Sequence, residues 1–183
     1  MKIVHDVLSI RLFKSIQREF DKGIGISNWS SSHLVWEPKL LDGIIGSCLF
    51  RNLPEDLSQL VIKEIEPHTP PFKKISIIYQ VWLPTSGISV HDDYNYEWAA
   101  TIYLNNKWTL NSGGWFLWQD DDHWKAVPPT RNMMVLNDKK QNHCVTPVAH
   151  SVKEPRITLQ IWSNKNECTK LDSPLPKGEE TKT

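Results

Sequence analysis

The chain has 183 residues, 39% of them hydrophobic and 23% charged, with 21 basic residues against 21 acidic ones and no net charge. That composition predicts one globular unit with a real core. It excludes the basic surplus that binding to nucleic acid or to an anionic membrane surface requires, so neither is expected as a partner.

The first predicted element is an amphipathic helix over 6–22, where Val7, Ile10, Phe13, Ile16 and Phe20 recur at helical spacing and Gly23 supplies the stop. Short apolar runs and Ser- and Gly-containing turns over 24–50 suggest strands and loops. A second helix is predicted over 53–66. Pro54 suits its first turn, Glu55 and Asp56 favour its positive dipole end, and Leu57, Leu60, Val61 and Ile65 form its buried stripe.

From residue 75 the pattern changes to short β-branched and aromatic runs at 75–83, 88–91, 97–104, 114–118, 132–137, 143–148 and 156–162. Such spacing predicts an antiparallel sandwich or barrel, and with two helices before it an α+β fold. The expected organisation is one domain over 1–163 and a flexible polar tail over 164–183. No 18-residue apolar run and no secretory signal is read in the chain. Cys48, Cys144 and Cys168 form no CxxC pair, which suits a reducing, cytoplasmic location.

Chemistry enters at Val90-His91-Asp92-Asp93. In an extended strand residues i and i+2 project to one side, so His91 and Asp93 can reach the same ion. Alone, the pair is better explained as an acid-rich surface turn. Its context is His143 in His143-Cys144-Val145-Thr146-Pro147-Val148, then Arg156, which heads the apolar strand Ile157 to Trp162. Two His and one carboxylate from separate strands make a facial triad suited to non-haem Fe(II), with the opposite positions left open.

Five ordered motifs carry a family resemblance. They are His91-Asp92-Asp93, Ala100-Thr101-Ile102-Tyr103-Leu104-Asn105, Ser112-Gly113-Gly114, His143 to Val148, and Arg156 to Trp162. Together they resemble the Fe(II)/2-oxoglutarate-dependent dioxygenases, in the prolyl hydroxylase-like branch. The resemblance implies a double-stranded β-helix (jelly roll, cupin-like) with N-terminal helices packed on one sheet. It implies Fe(II), 2-oxoglutarate and O2, with ascorbate as a reductant, and hydroxylation of an organic substrate with release of succinate and CO2. It also implies that His91, Asp93 and His143 are iron ligands and that Arg156 pairs with the distal carboxylate of 2-oxoglutarate. Tyr103 matches a tyrosine that hydrogen-bonds that carboxylate, although a ring in the barrel core accounts for it equally well. Gly113-Gly114 matches a turn whose role is backbone geometry.

There are departures. Ala149 to Pro155 lengthens the step from His143 to Arg156, and Leu83 stands where the family carries a tyrosine. Lys153 in that longer loop competes with Arg156 as the anchor, but alternation along the strand sets Arg156, Thr158, Gln160 and Trp162 on the metal side and Ile157, Leu159 and Ile161 against the helices. A cupin-like binding module without turnover is the alternative reading, and it has no need of Arg156. A halogenase requires a small residue in place of Asp93. The substrate is expected to be a prolyl residue in a peptide or protein, or else a free amino acid or other small molecule. Asp120-Asp121-Asp122-His123 reads as a solvated loop, and the remaining histidines lack partners at fitting spacing. Of the tryptophans, core packing accounts for more than a substrate mouth does.

Overall fold

The computed structural model describes residues 1–25 and 28–164. Its strands are β1 (Lys2–Val4), β2 (Ser30–Ser31), β3 (Cys48–Asn52), β4 (Lys74–Trp82), β5 (Ile88–His91), β6 (Tyr96–Tyr103), β7 (Phe116–Asp120), β8 (His123–Val127), β9 (Met134–Asn137), β10 (His143–Val145) and β11 (Arg156–Asn164), and its helices are α1 (Ile10–Gly23), α2 (Ser32–Val35) and α3 (Glu55–Ile65). The strands form a seven-stranded sheet in the order β1-β9-β6-β11-β4-β3-β2 and a four-stranded sheet in the order β5-β10-β7-β8. The fold is the double-stranded β-helix. Most of the expected tail, residues 165–183, lies outside the described residues, but Asn164 still pairs with Lys74 in β11.

The central strand β11 shows how the layers are assigned. Leu159 and Ile161 are buried in one core with Phe13 and Ile16 of α1 and Val61 and Ile65 of α3. Residues of the other parity face a second core, in which Trp82, Tyr103, Phe116, Trp118 and Val145 pack and Trp162 lies at the margin. The alternation read from the sequence is therefore present, and it puts Arg156 in the layer between the sheets.

Both helices start or pack differently from what the spacing predicts. Asp6 has a φ of 49°, and Ser9 caps α1 by accepting from the Leu12 N–H, so the helix begins at Ile10 and leaves that side chain exposed. Val7 and Leu8 still join the core from an extended segment, where Asn132 accepts from both of their N–H groups. In α3 the buried line runs Leu57, Val61, Ile65 at four-residue steps, and Leu60 falls off it into solvent. The Ser9 hydroxyl and N–H both donate to Glu64, tying the two helices together.

Gly23 does more than stop a helix. A Cβ there would lie 1.6 Å from Arg51 Nη1. The Arg51 guanidinium is held between the Trp29 and Tyr79 rings, and Nη2 donates to the Glu19 carbonyl at 3.0 Å near the end of α1. Tyr79 belongs to this helix-side core and donates to the Ile16 carbonyl. Gly23→Ala gains up to about 1 kcal/mol of helix propensity. It should lose more, about 1–3 kcal/mol, by displacing a buried side chain that has no second place to go. Urea unfolding is expected to show a net loss; unchanged or raised stability would mean that Arg51 relocates without cost.

Candidate metal centre

His91 ends β5 and His143 opens β10, and the two residues pair directly across the antiparallel ladder. Their rings are 4.2 Å apart at 50°. Asp93 completes the group: its Oδ1 is 3.8 Å from His91 Nε2 and its Oδ2 is 3.3 Å from His143 Nε2. The three ligand atoms lie within 4.8 Å of one another, close enough to hold one metal ion.

Asp93 arrives by a different route from the one the i, i+2 rule supposes. The strand stops at His91 and Asp93 has a φ of 55°. Asp92 accepts from the Tyr94 N–H, and the Tyr96 N–H donates to the Asp93 carbonyl, closing a tight turn. This turn swings the carboxylate between the two imidazoles. A non-glycine residue in the left-handed region is strained unless its surroundings hold it there.

The surroundings also orient the rings. His91 Nδ1 is 2.8 Å from the Ser89 carbonyl and His143 Nδ1 is 3.0 Å from the Gln141 carbonyl. Carbonyls only accept, so each Nδ1 carries the proton and each Nε2 lone pair is free for a metal. Burial, with the neighbouring His143, pushes the His91 pKa below its ordinary value and keeps its ring neutral. Phe116 stacks on His143 at 5.2 Å and 15°. Asn137 is buried; its amide donates to the Gln141 carbonyl and its Oδ1 accepts from the Gln141 N–H. It thus closes the turn that delivers His143. Nothing in its spacing signals this role.

Arg156 is fully buried, and among the described residues its Nε, Nη1 and Nη2 have no hydrogen-bond partner. Its guanidinium stands over Trp82 at 4.9 Å and Tyr103 at 5.0 Å, and the buried Tyr103 hydroxyl is likewise unpartnered. Burial lowers the pKa of Arg156 and raises that of Tyr103, each effect partly opposed by the other group. Gly114, at φ 64°, makes room for this side chain, because a Cβ there would sit 2.8 Å from Arg156 Cδ. Gly114 lies two positions before Phe116, the ring stacked on His143, so the guanidinium and the imidazole share one pocket wall.

The other sequence candidates stay apart from this group. Lys153 is exposed, as are His123 and His150. Asp121 and Asp122 form the β7–β8 turn, with Lys125 paired to Asp120. Leu83 packs with the helix-side core. Trp82 and Trp118 are buried, whereas Trp124 is 48% exposed on β8. A groove of about 670 Å³, lined by Phe20, Trp29, Leu49 and Ile157 among others, opens on the helix side of the large sheet and contains none of the metal-side residues.

Residues 77–164 match the model of the 2OG-Fe(II) oxygenase superfamily. That segment is a domain of the superfamily. This 2OG-Fe(II) oxygenase shares its fold with a Pseudomonas putida prolyl-4-hydroxylase, at a TM-score of 0.68 and 14% identity over 90% of this chain and 92% of that one. It is similar to a Trichoplax adhaerens prolyl hydroxylase solved with a hypoxia inducible factor peptide fragment, at 0.71 and 15% over 89% and 82%. A third likeness is to the viral collagen prolyl hydroxylase of Paramecium Bursaria Chlorella virus-1, solved with 2OG, at 0.58 and 12% over 88% and 93%. No curated protein matches the oxygenase in sequence. Family membership makes it an oxidoreductase whose cofactors are Fe(II), 2-oxoglutarate and O2. Among the described residues, no helix is long and apolar enough to cross a membrane.

Proposed function

We propose that this oxygenase hydroxylates a prolyl residue of a peptide or protein, within one domain over residues 1–163. His91, Asp93 and His143 hold the iron, and Arg156 with Tyr103 holds the distal carboxylate of 2-oxoglutarate. The observation that carries the reading is the buried Arg156, with three unpartnered nitrogens on a wall shared with His143. A buried cation without a hydrogen-bond partner is costly, and a carboxylate is the group whose geometry answers a guanidinium fork. A binding module with no dicarboxylate to hold has no use for that cost. The N, N, O donor set likewise suits Fe(II).

Bound iron and 2-oxoglutarate supply the oxidising chemistry, in which 2-oxoglutarate loses CO2 and one atom of O2 goes to succinate and the other to substrate. The protein's own work is placement. The Ser89 and Gln141 carbonyls keep the Nδ1 protons in place and the Nε2 atoms available. Asp93 brings the negative charge that a divalent ion requires. Trp82, Phe116 and Val148 keep water from the pocket around Arg156, where low polarity strengthens a charge-assisted pair.

The prolyl reading draws on the fold shared with the prolyl hydroxylases, and the absence of net charge favours a peptide over a nucleic acid. Among the described residues Cys48 and Cys144 form no disulfide, on which we base a cytoplasmic location. The test is succinate formation by the Fe(II) protein, screened with proline-containing peptides, free proline and other amino acids. Stimulation by a peptide alone is expected. Turnover with a free amino acid and with no peptide overturns the peptidyl assignment while leaving the oxygenase intact.

A further inference from the structure

The start of β11 is secured from its two sides by different means. On one side, Arg156 pairs with Trp82 of β4 in regular register. On the other side, the ladder with β6 reaches only to Tyr103, opposite Thr158, followed by a last bond from the Leu104 N–H to the Ile157 carbonyl. Beyond that point the chain of β6 leaves, and the side chain of Asn105 takes its place. Asn105 Nδ2 donates to the Pro155 carbonyl at 2.9 Å, and Asn105 Oδ1 accepts from the Ile157 N–H at 2.7 Å. The carboxamide thus behaves as one more peptide group of the strand and grips the backbone on both sides of Arg156.

The grip is buried; Asn105 is 5% exposed. It sits where the strand has least other support. Pro155 offers no N–H, and it ends the Ala149 to Pro155 loop that lengthens the approach to the anchor. Across the pocket, Gly114 makes room for the Arg156 stem, because a Cβ there would lie 2.8 Å from Arg156 Cδ. An arginine packed this closely against backbone needs its own backbone fixed.

Resting on the assignment of Arg156 as the 2-oxoglutarate anchor, we propose that Asn105 is a positioning residue, whose carboxamide bridge from Pro155 to Ile157 holds Arg156 at the depth the distal carboxylate requires. It touches neither co-substrate nor metal and acts through the arginine alone.

The experiment is a double-mutant cycle on 2-oxoglutarate binding, read by calorimetry on the anaerobic Fe(II) protein, with Fe(II) binding titrated separately. Asn105→Ala should raise the 2-oxoglutarate dissociation constant on the order of tenfold, because two buried hydrogen bonds are lost, and should leave Fe(II) affinity unchanged. On an Arg156→Ala background the same change should add less than about twofold, since no anchor remains to position. A merely structural asparagine weakens binding by the same factor on both backgrounds, and that result overturns the proposal. So does an Asn105→Ala effect below twofold when Arg156→Ala is large, which leaves the anchor standing. If Arg156→Ala itself has no effect, the anchor assignment falls, and the positioning role with it. Should Asn105→Ala not fold, Asn105→Ser, which is polar but too short to span both partners, replaces it in the same cycle with the same expected ratios.

Discussion

Arg156→Ala should raise the apparent 2-oxoglutarate constant at least tenfold while iron still binds. Removing one member of a buried charge pair costs about 2–5 kcal/mol, and each 1.4 kcal/mol is tenfold in affinity. In this protein the loss has a partial offset. Among the described residues no side chain or backbone group hydrogen-bonds the guanidinium, so alanine also removes the cost of burying that cation. The cavity left by so large a buried side chain, and the lost contacts with Trp82 and Tyr103, work against that offset, so the decisive readout is 2-oxoglutarate affinity rather than stability. Lys153→Ala should do little, because Lys153 lies exposed in the loop. Titrating 2-oxoglutarate against the two Fe(II)-loaded variants decides it; the reverse ranking makes the loop the anchor.

Loss of any one metal ligand should be larger still for iron. His91→Ala, Asp93→Ala and His143→Ala each leave two donors where three converge. Changes to groups that merely orient a ligand cost roughly 10–100-fold in metal affinity, so removing a ligand itself should cost at least that. His123→Ala and His150→Ala serve as controls, since both side chains are exposed and outside the group. Iron measured after dialysis should be near wild type in the controls and close to background in the three variants. Wild-type iron in His143→Ala would remove the assignment.

Much of this site is local in sequence and is legible there. His91 and His143 sit at strand ends, and the strict alternation from Arg156 to Trp162 separates pocket from helix-facing core. What the sequence hides depends on contacts between distant segments or on backbone shape. Strand β1 pairs with β9 across some 130 residues, and its three residues carry no period of their own. Strand β8 has almost no buried position, so the hydrophobic pattern that reveals the other strands is missing. Asp93 reaches the metal side through a positive φ, which an extended-strand rule cannot foresee. Asn105 lies inside one of the five motifs, yet nothing local gives it a role, because its two partners, Pro155 and Ile157, are far along the chain.

The two faces of β11 give the chain an uneven tolerance to changes of length. Moving this strand by one residue would turn Ile157 toward the iron side and Arg156 toward the helices, and every later side chain would invert with them. Both layers would lose their contents at once, so a single inserted or deleted residue between Arg156 and Asn164 removes catalysis and folding together. The stretch from Ala149 to Pro155 is different. It runs mostly over the surface, and loop closure grows only slowly more costly with length. Extra residues can accumulate there as long as the chain returns to the strand in phase, and the Asn105 carboxamide marks the place where that phase is restored. The fold can thus vary in length immediately beside its most position-sensitive residue.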